Sequence, residues 1–390
     1  MQHRVAGLQA RLAAHDFAAA ILMHPRDVFY YAGTGQPCNL IIPAQGEPVL
    51  LARRALDWVK ADASIGQIVQ GGSGKDIREA LKSVGALDKK RTLGLCLDIV
   101  PAALCRKLEQ TLPEFKIEDV TPLILEQRMC KDEGELLAIR GAANLFQKAH
   151  EVMLRELKPG VTELALSGSI FSALRKEEHE GLPRFRRWDA SVHPDGLVSS
   201  GPNTWRISGH AMTVTGVGLS PALPWGPSAR PVAPGETVVI DIGINLHGYY
   251  ADISRTYIVG KASEEQKRVF GVVKEAYHAV AQKIKPGVSG DALFKAAWEV
   301  FKFHKLEQYF QGYGDMQGHY IGHGIGLEMD EPPVLAKGSA AILQENMAVA
   351  IEPKVIIPEW GAIDLEDTMI VTALGCEILG QVPQELFEVI

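Results

Sequence analysis

Two acidic residues, Asp241 and Asp252, interrupt apolar runs of strand-forming residues, Val238-Val-Ile-Asp-Ile-Gly243 and Tyr249-Tyr-Ala-Asp-Ile-Ser-Arg-Thr-Tyr257. An unpaired carboxylate is costly in such surroundings. The connection Asn245-Leu-His-Gly248 suits a tight turn, because glycine takes positive φ without strain. A hairpin centred on Leu246 and His247 sets Asp241 opposite Asp252. Facing side chains on one sheet surface have Cβ atoms about 5 Å apart, so the two charges repel unless a cation sits between them.

The same spacing recurs downstream. Val349-Ala-Ile-Glu-Pro-Lys-Val355 and Ile363-Asp-Leu-Glu-Asp-Thr-Met-Ile-Val371 pair about Glu359, which sets Glu352 opposite Glu366. Four convergent carboxylates suit two divalent ions about 3.5–4 Å apart. Between the hairpins lies Gly318-His-Tyr-Ile-Gly-His-Gly-Ile-Gly326, whose histidines, His319 and His323, are four residues apart and share a face in either a strand or a helix. The glycines disfavour a regular helix and favour close backbone approach. One neutral imidazole can ligate a metal while the other donates a hydrogen bond to substrate. Taken singly, a carboxylate hairpin is most often a solvated face and a histidine pair most often structural. Their conjunction inside apolar strands is what argues for a site.

Elements able to position these residues surround them. Leu157-Lys-Pro-Gly-Val-Thr162 and Ile284-Lys-Pro-Gly-Val-Ser289 each end one helix and open another, and each helix pair leads into β-type segments. This pattern predicts two related helix-helix-strand halves. The first 125 or so residues instead alternate apolar runs (18–22, 49–52, 93–97) with helical stretches such as 75–84, an α/β pattern without a His and carboxylate cluster. Lys131-Asp132-Glu133 opens a long amphipathic helix, so the boundary falls near residue 128 and the domains are 1–128 and 129–390. A chain of 390 residues exceeds the usual span of one core.

The net charge of −7 and the lack of a long basic run argue against nucleic acid and anionic membranes as partners. No stretch approaches the roughly 18 apolar residues of a membrane span. Five scattered cysteines without a CxxC pair, and an N-terminus without a signal-peptide core, predict a cytoplasmic protein with reduced thiols. Gly71-Gly-Ser-Gly-Lys-Asp76 lacks the P-loop spacing, and Gly322-x-Gly-x-Gly326 is no dinucleotide fingerprint.

The segments Val239-Ile-Asp-Ile-Gly243, Gly248-Tyr-Tyr-Ala-Asp-Ile-Ser-Arg-Thr256, Gly322-His-Gly-Ile-Gly-Leu-Glu328, Ile351-Glu-Pro353 and Leu365-Glu-Asp-Thr368 resemble, in order, the five ligand-bearing motifs of the superfamily of methionine aminopeptidase, aminopeptidase P, prolidase and creatinase. Arg26-Asp-Val-Phe-Tyr-Tyr-Ala-Gly33 resembles the N-terminal domain of its prolidase and aminopeptidase P branch. The resemblance implies an α/β creatinase-like N-terminal domain followed by an α+β pita-bread catalytic domain with a pseudo-twofold duplication. It implies a metallopeptidase, an Xaa-Pro aminopeptidase or dipeptidase acting on short peptides. Asp241 and Asp252 would hold one ion, Asp252 and Glu366 bridge, and His323 and Glu352 complete the other site. Manganese is favoured over cobalt, zinc or iron, although ligand type does not choose among them. A metal-bridging hydroxide would attack the scissile carbonyl, with Glu352 shuttling its proton and His319 donating to substrate or oxyanion. A homodimer is expected by analogy.

Three departures leave the substrate open. Ser220-Pro-Ala-Leu-Pro-Trp-Gly-Pro227 has no histidine where Xaa-Pro enzymes generally carry one, Asp330 stands where a histidine is common, and Asp364 stands where an arginine is common. The long stretch from Ser199 to Trp225 supplies His210 and Trp225 which, with His319 and Asp330, are the expected substrate contacts. Two alternatives follow: a non-peptidase hydrolase or lyase of the same fold acting on a small amide, guanidino or osmolyte compound, and an inactive binding scaffold.

Overall fold

A computed structural model describes residues 1–87, 92–181, 184–187, 189, 196–209 and 214–390. The chain divides into two compact units, Met1–Arg128 and Met129–Ile390.

In the N-terminal unit, short apolar runs form one mixed sheet. Ala19–Leu22 pairs antiparallel with Cys38–Pro43 on one side and parallel with Thr92–Leu95 on the other. Ile21, Ile41, Leu51 and Leu93 of the sheet bury against Ile77, Leu81 and Leu108 of two helices and Leu112 just beyond the second. The glycine-rich stretch at 71–76 is the start of helix Gly74–Ser83. Asp76 accepts from Gly72 N at 2.9 Å and Ser73 N at 2.8 Å, so these amides are taken up by a capping box instead of an anion.

In the second unit the two Lys-Pro-Gly-Val segments close and reopen helices as the spacing predicts. Helix Glu133–Glu156 is followed by Glu163–Lys176, and Glu264–Ala281 by Gly290–Phe303. Thr162 and Ser289 cap the second helix of each pair, accepting from Ala165 N and Ala292 N. The first pair leads to a four-stranded sheet ordered 387–389, 249–259, 237–246, 197–200. The second leads to a five-stranded sheet ordered 331–336, 320–324, 348–351, 367–371, 376–378, with Lys354–Ile357 and Gly361–Asp364 as a separate ribbon. Val273, Tyr277, Leu293 and Phe301 of the second helix pair pack on Ile321, Val349, Ile351 and Met369, burying one face of the second sheet. Ser254 and Glu366 exchange both backbone hydrogen bonds at 3.3 Å, which ties the two sheets together beside the acidic residues.

Candidate active site

The first hairpin, Thr237–Leu246 with Tyr249–Val259, turns through His247 and Gly248, at φ 51° and 84°. Asp241 therefore lies opposite Ser254, and Asp252 opposite Gly243. This corrects the expected register, in which the turn lay at Leu246 and His247 and the aspartates faced each other. A turn there would force the bulky Leu246 into positive φ, whereas Gly248 takes it freely. Because the register moves by one residue on each strand, both aspartates stay on the same sheet face as diagonal neighbours.

Glu352 and Glu366 lie in a gap between two ladders, where Pro353 has no N–H to offer. Ile351 pairs with Asp367 on one side and Lys354 with Asp364 on the other, so Glu352 faces Glu366, as the spacing about Glu359 predicts. His323 comes from Tyr320–Gly324, which pairs with Ala348–Ile351. That strand lies so close to its neighbour that a Cβ at Gly322 would stand 2.0 Å from Ala350 O. His323 Nδ1 lies 3.0 Å from Gly324 O, so it carries the proton and donates it there, leaving Nε2 facing Glu352 Oε1 at 3.6 Å.

Asp252, His323 and Glu366 each bring one ligating atom to within 4.8 Å of the others. Asp252 Oδ1 is buried without a hydrogen-bond partner among the described residues. A buried carboxylate oxygen left without a donor is costly, and a divalent cation satisfies it; oxygen-rich ligation with one imidazole fits such an ion. Asp241 and Glu352 complete the group: the charges of Asp241, His323 and Glu352 all act on Asp252.

The electrostatics report the same imbalance. Burial, partly offset by Lys354, pushes Asp241 up to about 7, and burial likewise pushes Asp364 up to about 6. Asp252 and Glu366 are pushed well above the usual carboxylate range, first by burial and then by their acidic neighbours, Asp241 for the one and Asp252 for the other. Burial would pull His323 down, but the carboxylates of Asp330, Glu352 and Asp252 outweigh it and raise its pKa. Each shift records negative charge held together out of water.

Supporting residues fix the acids from behind. Thr368 Oγ1 accepts from Asp252 N at 2.8 Å and donates to Asp252 O at 3.0 Å. Asp367 takes Tyr277 Oη at 2.6 Å and the buried Arg255 at 2.7 Å, and Arg255 also donates to Glu366 O. Arg255, Asp367 and Thr368 stand inside the sequence motifs without an evident task there.

The structure separates the two histidines. His319 is exposed ahead of the strand, and a register shift between Tyr320 and Gly322 breaks the alternation that would place it on the face of His323. Tyr320 is the neighbour that senses the acids instead: burial and then the charge of Glu352 push its hydroxyl well above the usual range. Asp330 is exposed and acts on His323 electrostatically. Trp225 is buried, and His210 falls outside the described residues.

Around these positions, the described part of the 199–230 stretch is pinned at both ends by buried Glu163, whose carboxylate accepts from Ser200, Asn203 and Ser228. Val214 packs with Val239, Ile356 and Ala362. The spacing also left Lys354 unremarked, although pairing about Glu359 puts it opposite Asp364. Its ammonium is fully buried, 2.6 Å from Glu352 Oε2 and 3.2 Å from Asp364 Oδ2.

Comparison with known proteins agrees with this arrangement. Residues 4–130 match the creatinase/prolidase N-terminal domain, and residues 138–373 match metallopeptidase family M24. An Xaa-Pro dipeptidase of Pyrococcus furiosus is 28% identical over 389 residues, covering 99% of this chain and 100% of that one. The structure of an Xaa-Pro dipeptidase from Bacillus anthracis superposes with a TM-score of 0.84 at 25% identity, covering 99% of each chain. An X-Pro aminopeptidase from Thermotoga maritima shares the fold, with a TM-score of 0.80 at 24% identity over 98% of each chain. The creatinase-like domain, the duplicated pita-bread domain and the acidic centre with the imidazole of His323 thus have one common explanation: this chain belongs to metallopeptidase family M24.

Proposed function

We propose that this metallopeptidase hydrolyses the bond between a residue and proline in short peptides, as a dipeptidase or aminopeptidase, with Asp241, Asp252, His323, Glu352 and Glu366 holding two divalent ions. The observation that carries this reading is the convergence of Asp252, His323 and Glu366 to within 4.8 Å, with a buried Asp252 oxygen that has no hydrogen-bond partner among the described residues. The names of full-length relatives, Xaa-Pro dipeptidases, support the substrate class.

Ions bound there would supply Lewis-acid polarisation and an activated water. The protein's own part follows from its geometry. Lys354 holds Glu352 Oε2 and leaves Oε1 facing His323, and Glu352 is the carboxylate we assign to take a proton from the attacking water and return it to the leaving nitrogen. His323 is fixed in one tautomer by Gly324 O, and Thr368 fixes the backbone of Asp252. His319 and Asp330, both exposed and flanking His323 in the chain, are proposed as substrate contacts, with His210 and Trp225 shaping the approach. Residues 1–128 act as the creatinase-like domain and 129–390 as the catalytic one. We further propose manganese as the working ion, the cytoplasm as the location and a homodimer as the assembly.

A second reading, a small non-peptide amide as substrate, draws on one observation: Asp364, where Xaa-Pro enzymes commonly carry arginine, is neutralised internally by Lys354 and offers no cation to a peptide terminus. The deciding experiment is hydrolysis of Xaa-Pro dipeptides and longer Xaa-Pro peptides by protein reloaded with manganese, cobalt or zinc. Asp252→Asn should lower turnover by about a thousandfold or more, since several kcal/mol of transition-state stabilisation leave with the ions. Metal-loaded protein that cleaves none of these peptides would overturn the peptidase substrate and favour the small amide.

A further inference from the structure

A cavity lies wholly within the N-terminal unit, at one end of its sheet. Strands Ala19–Leu22, Val49–Ala52, Gln67–Gln70 and Thr92–Leu95 run the same way, because Cys38–Pro43 is antiparallel to the first two and each of those has a parallel neighbour. Residues 23–24, 53, 72–74 and 99–100, which follow these four strands, close around a space of about 340 Å³. Open α/β sheets take ligands in the crevice outside the carboxyl ends of their strands, and sites for small molecules commonly measure about 300–1,000 Å³. Ile77, Val100, Leu104 and Leu108 give apolar walls, His24, Asn39, Arg53 and Lys107 stand among them, and no aspartate or glutamate is in the lining. Neither Arg53 nor Lys107 forms an ion pair or a side-chain hydrogen bond among the described residues. The arginine stem lies across Gly72, where an added Cβ would stand 2.6 Å from Arg53 Cγ. Asn39 is only 4% exposed, yet its one side-chain hydrogen bond among the described residues, from Nδ2 to Gly72 O, is stretched to 3.5 Å. An ordinary bond of this kind is about 2.9–3.0 Å long, so a buried amide is left poorly answered at the wall of the cavity. His24 turns Nδ1 toward Asp27 Oδ2 at 3.6 Å, which leaves Nε2 as the ring nitrogen for a ligand.

We propose that this cavity is a second binding site, for a small organic carboxylate that carries an amide and an apolar side chain, as in an N-acylated amino acid. The carboxylate meets Arg53 and Lys107, the amide pairs with Asn39, and the side chain covers the apolar walls. Hydrogen bonds between a cationic donor and a carboxylate are the stronger kind, and apolar walls strengthen the attraction by keeping water away. A free ammonium would find no acidic side chain in the lining, which disfavours an unblocked amino acid. Phosphate is disfavoured as well. The amides that a helix start offers to a phosphate are here spent on Asp76, which accepts from Gly72 N and Ser73 N and adds a negative charge beside them. The site therefore selects by side-chain charge and apolar cover, at a place the peptidase chemistry does not touch.

The test is calorimetric titration of the full chain with N-acetyl-leucine, beside the uncharged N-acetyl-leucinamide and inorganic phosphate, using the wild type and Arg53→Gln/Lys107→Gln. Both replaced side chains are exposed, so the variant keeps the fold. N-acetyl-leucine should bind the wild type with a dissociation constant of about 1 mM or tighter, the range open to so small a ligand. The variant should bind it at least about tenfold more weakly, and the wild type should prefer it at least about tenfold over the amide, the loss expected when hydrogen bonds to a charged group go. No binding of N-acetyl-leucine by the wild type would overturn the proposal, and so would equal binding by the variant or equal binding of the amide. Phosphate bound by the wild type more tightly than N-acetyl-leucine, and lost in the variant, would overturn the carboxylate and make the cavity a phosphate site.

Discussion

In the N-terminal unit, buried Asp27 lies 3.1 Å from the equally buried Arg128, with His24 and the Cys96 thiol beside it at 3.6 Å. In the catalytic unit, the buried Glu163 is likewise answered, by donors from Ser200, Asn203 and Ser228. Elsewhere in the same unit, the five carboxylates of Asp241, Asp252, Glu352, Asp364 and Glu366 gather around the cationic Lys354 and the imidazole of His323. The difference separates two uses of buried charge. A structural carboxylate is matched where it sits, whereas a binding centre is left short of positive charge and carries that deficit until a cation arrives.

The first way to break this comparison is Arg128→Ala. It removes the guanidinium beside Asp27, which is 0% exposed and keeps the weaker contacts of His24 and the Cys96 thiol, and should cost about 3–5 kcal/mol of unfolding free energy, read by denaturant titration. Metal content should be unchanged, because this charge serves the fold; loss of metal along with stability would erase the distinction.

A second test uses pH. Asp241 and Asp364 have folded-state pKa values raised to about 7 and about 6, above those of an unfolded chain, and Asp252, Glu366 and His323 are raised as well. The metal-free folded protein therefore holds more protons than the unfolded one between about pH 4 and pH 7, so its stability falls as pH rises through that window. Metal-stripped protein should melt several degrees lower at pH 8 than at pH 5, and manganese should remove most of the difference by binding only the folded state. A melting temperature independent of pH in stripped protein would mean that the deficit is already answered by the chain.

The smallest effect comes from the supporting layer. Tyr277→Phe deletes one of the donors to Asp367, which keeps Arg255 and Gln384. It should cost about 1 kcal/mol of stability, with catalysis nearly intact. A large loss of activity instead would move Asp367 and its partners from support into the chemistry.

Much of this was legible in the residues themselves. Acidic side chains inside apolar strand runs, a glycine-rich His segment and a repeated helix-ending Lys-Pro-Gly-Val are local patterns, and local patterns set periodicity, caps and turns. The pairing about Glu359 followed from counting alone and correctly opposed Glu352 to Glu366. The same count opposed Lys354 to Asp364, a signal available in the sequence whose meaning appears only once both are seen to be fully buried. Counting failed at the first hairpin, where two turn placements one residue apart fit equally well and the choice fell to which residues bear positive φ.

By itself, then, the sequence determined the two domains, the helix pairs, the strands and the identity of the acidic and imidazole side chains, because these depend on neighbours a few positions away. Tertiary structure alone decided that the two hairpins meet through Ser254 and Glu366, that His323 and not His319 turns inward, and that a lysine lies among the acids. Those outcomes depend on which strands lie side by side and which side chains lose their water together, and residues more than a hundred positions apart take part in both.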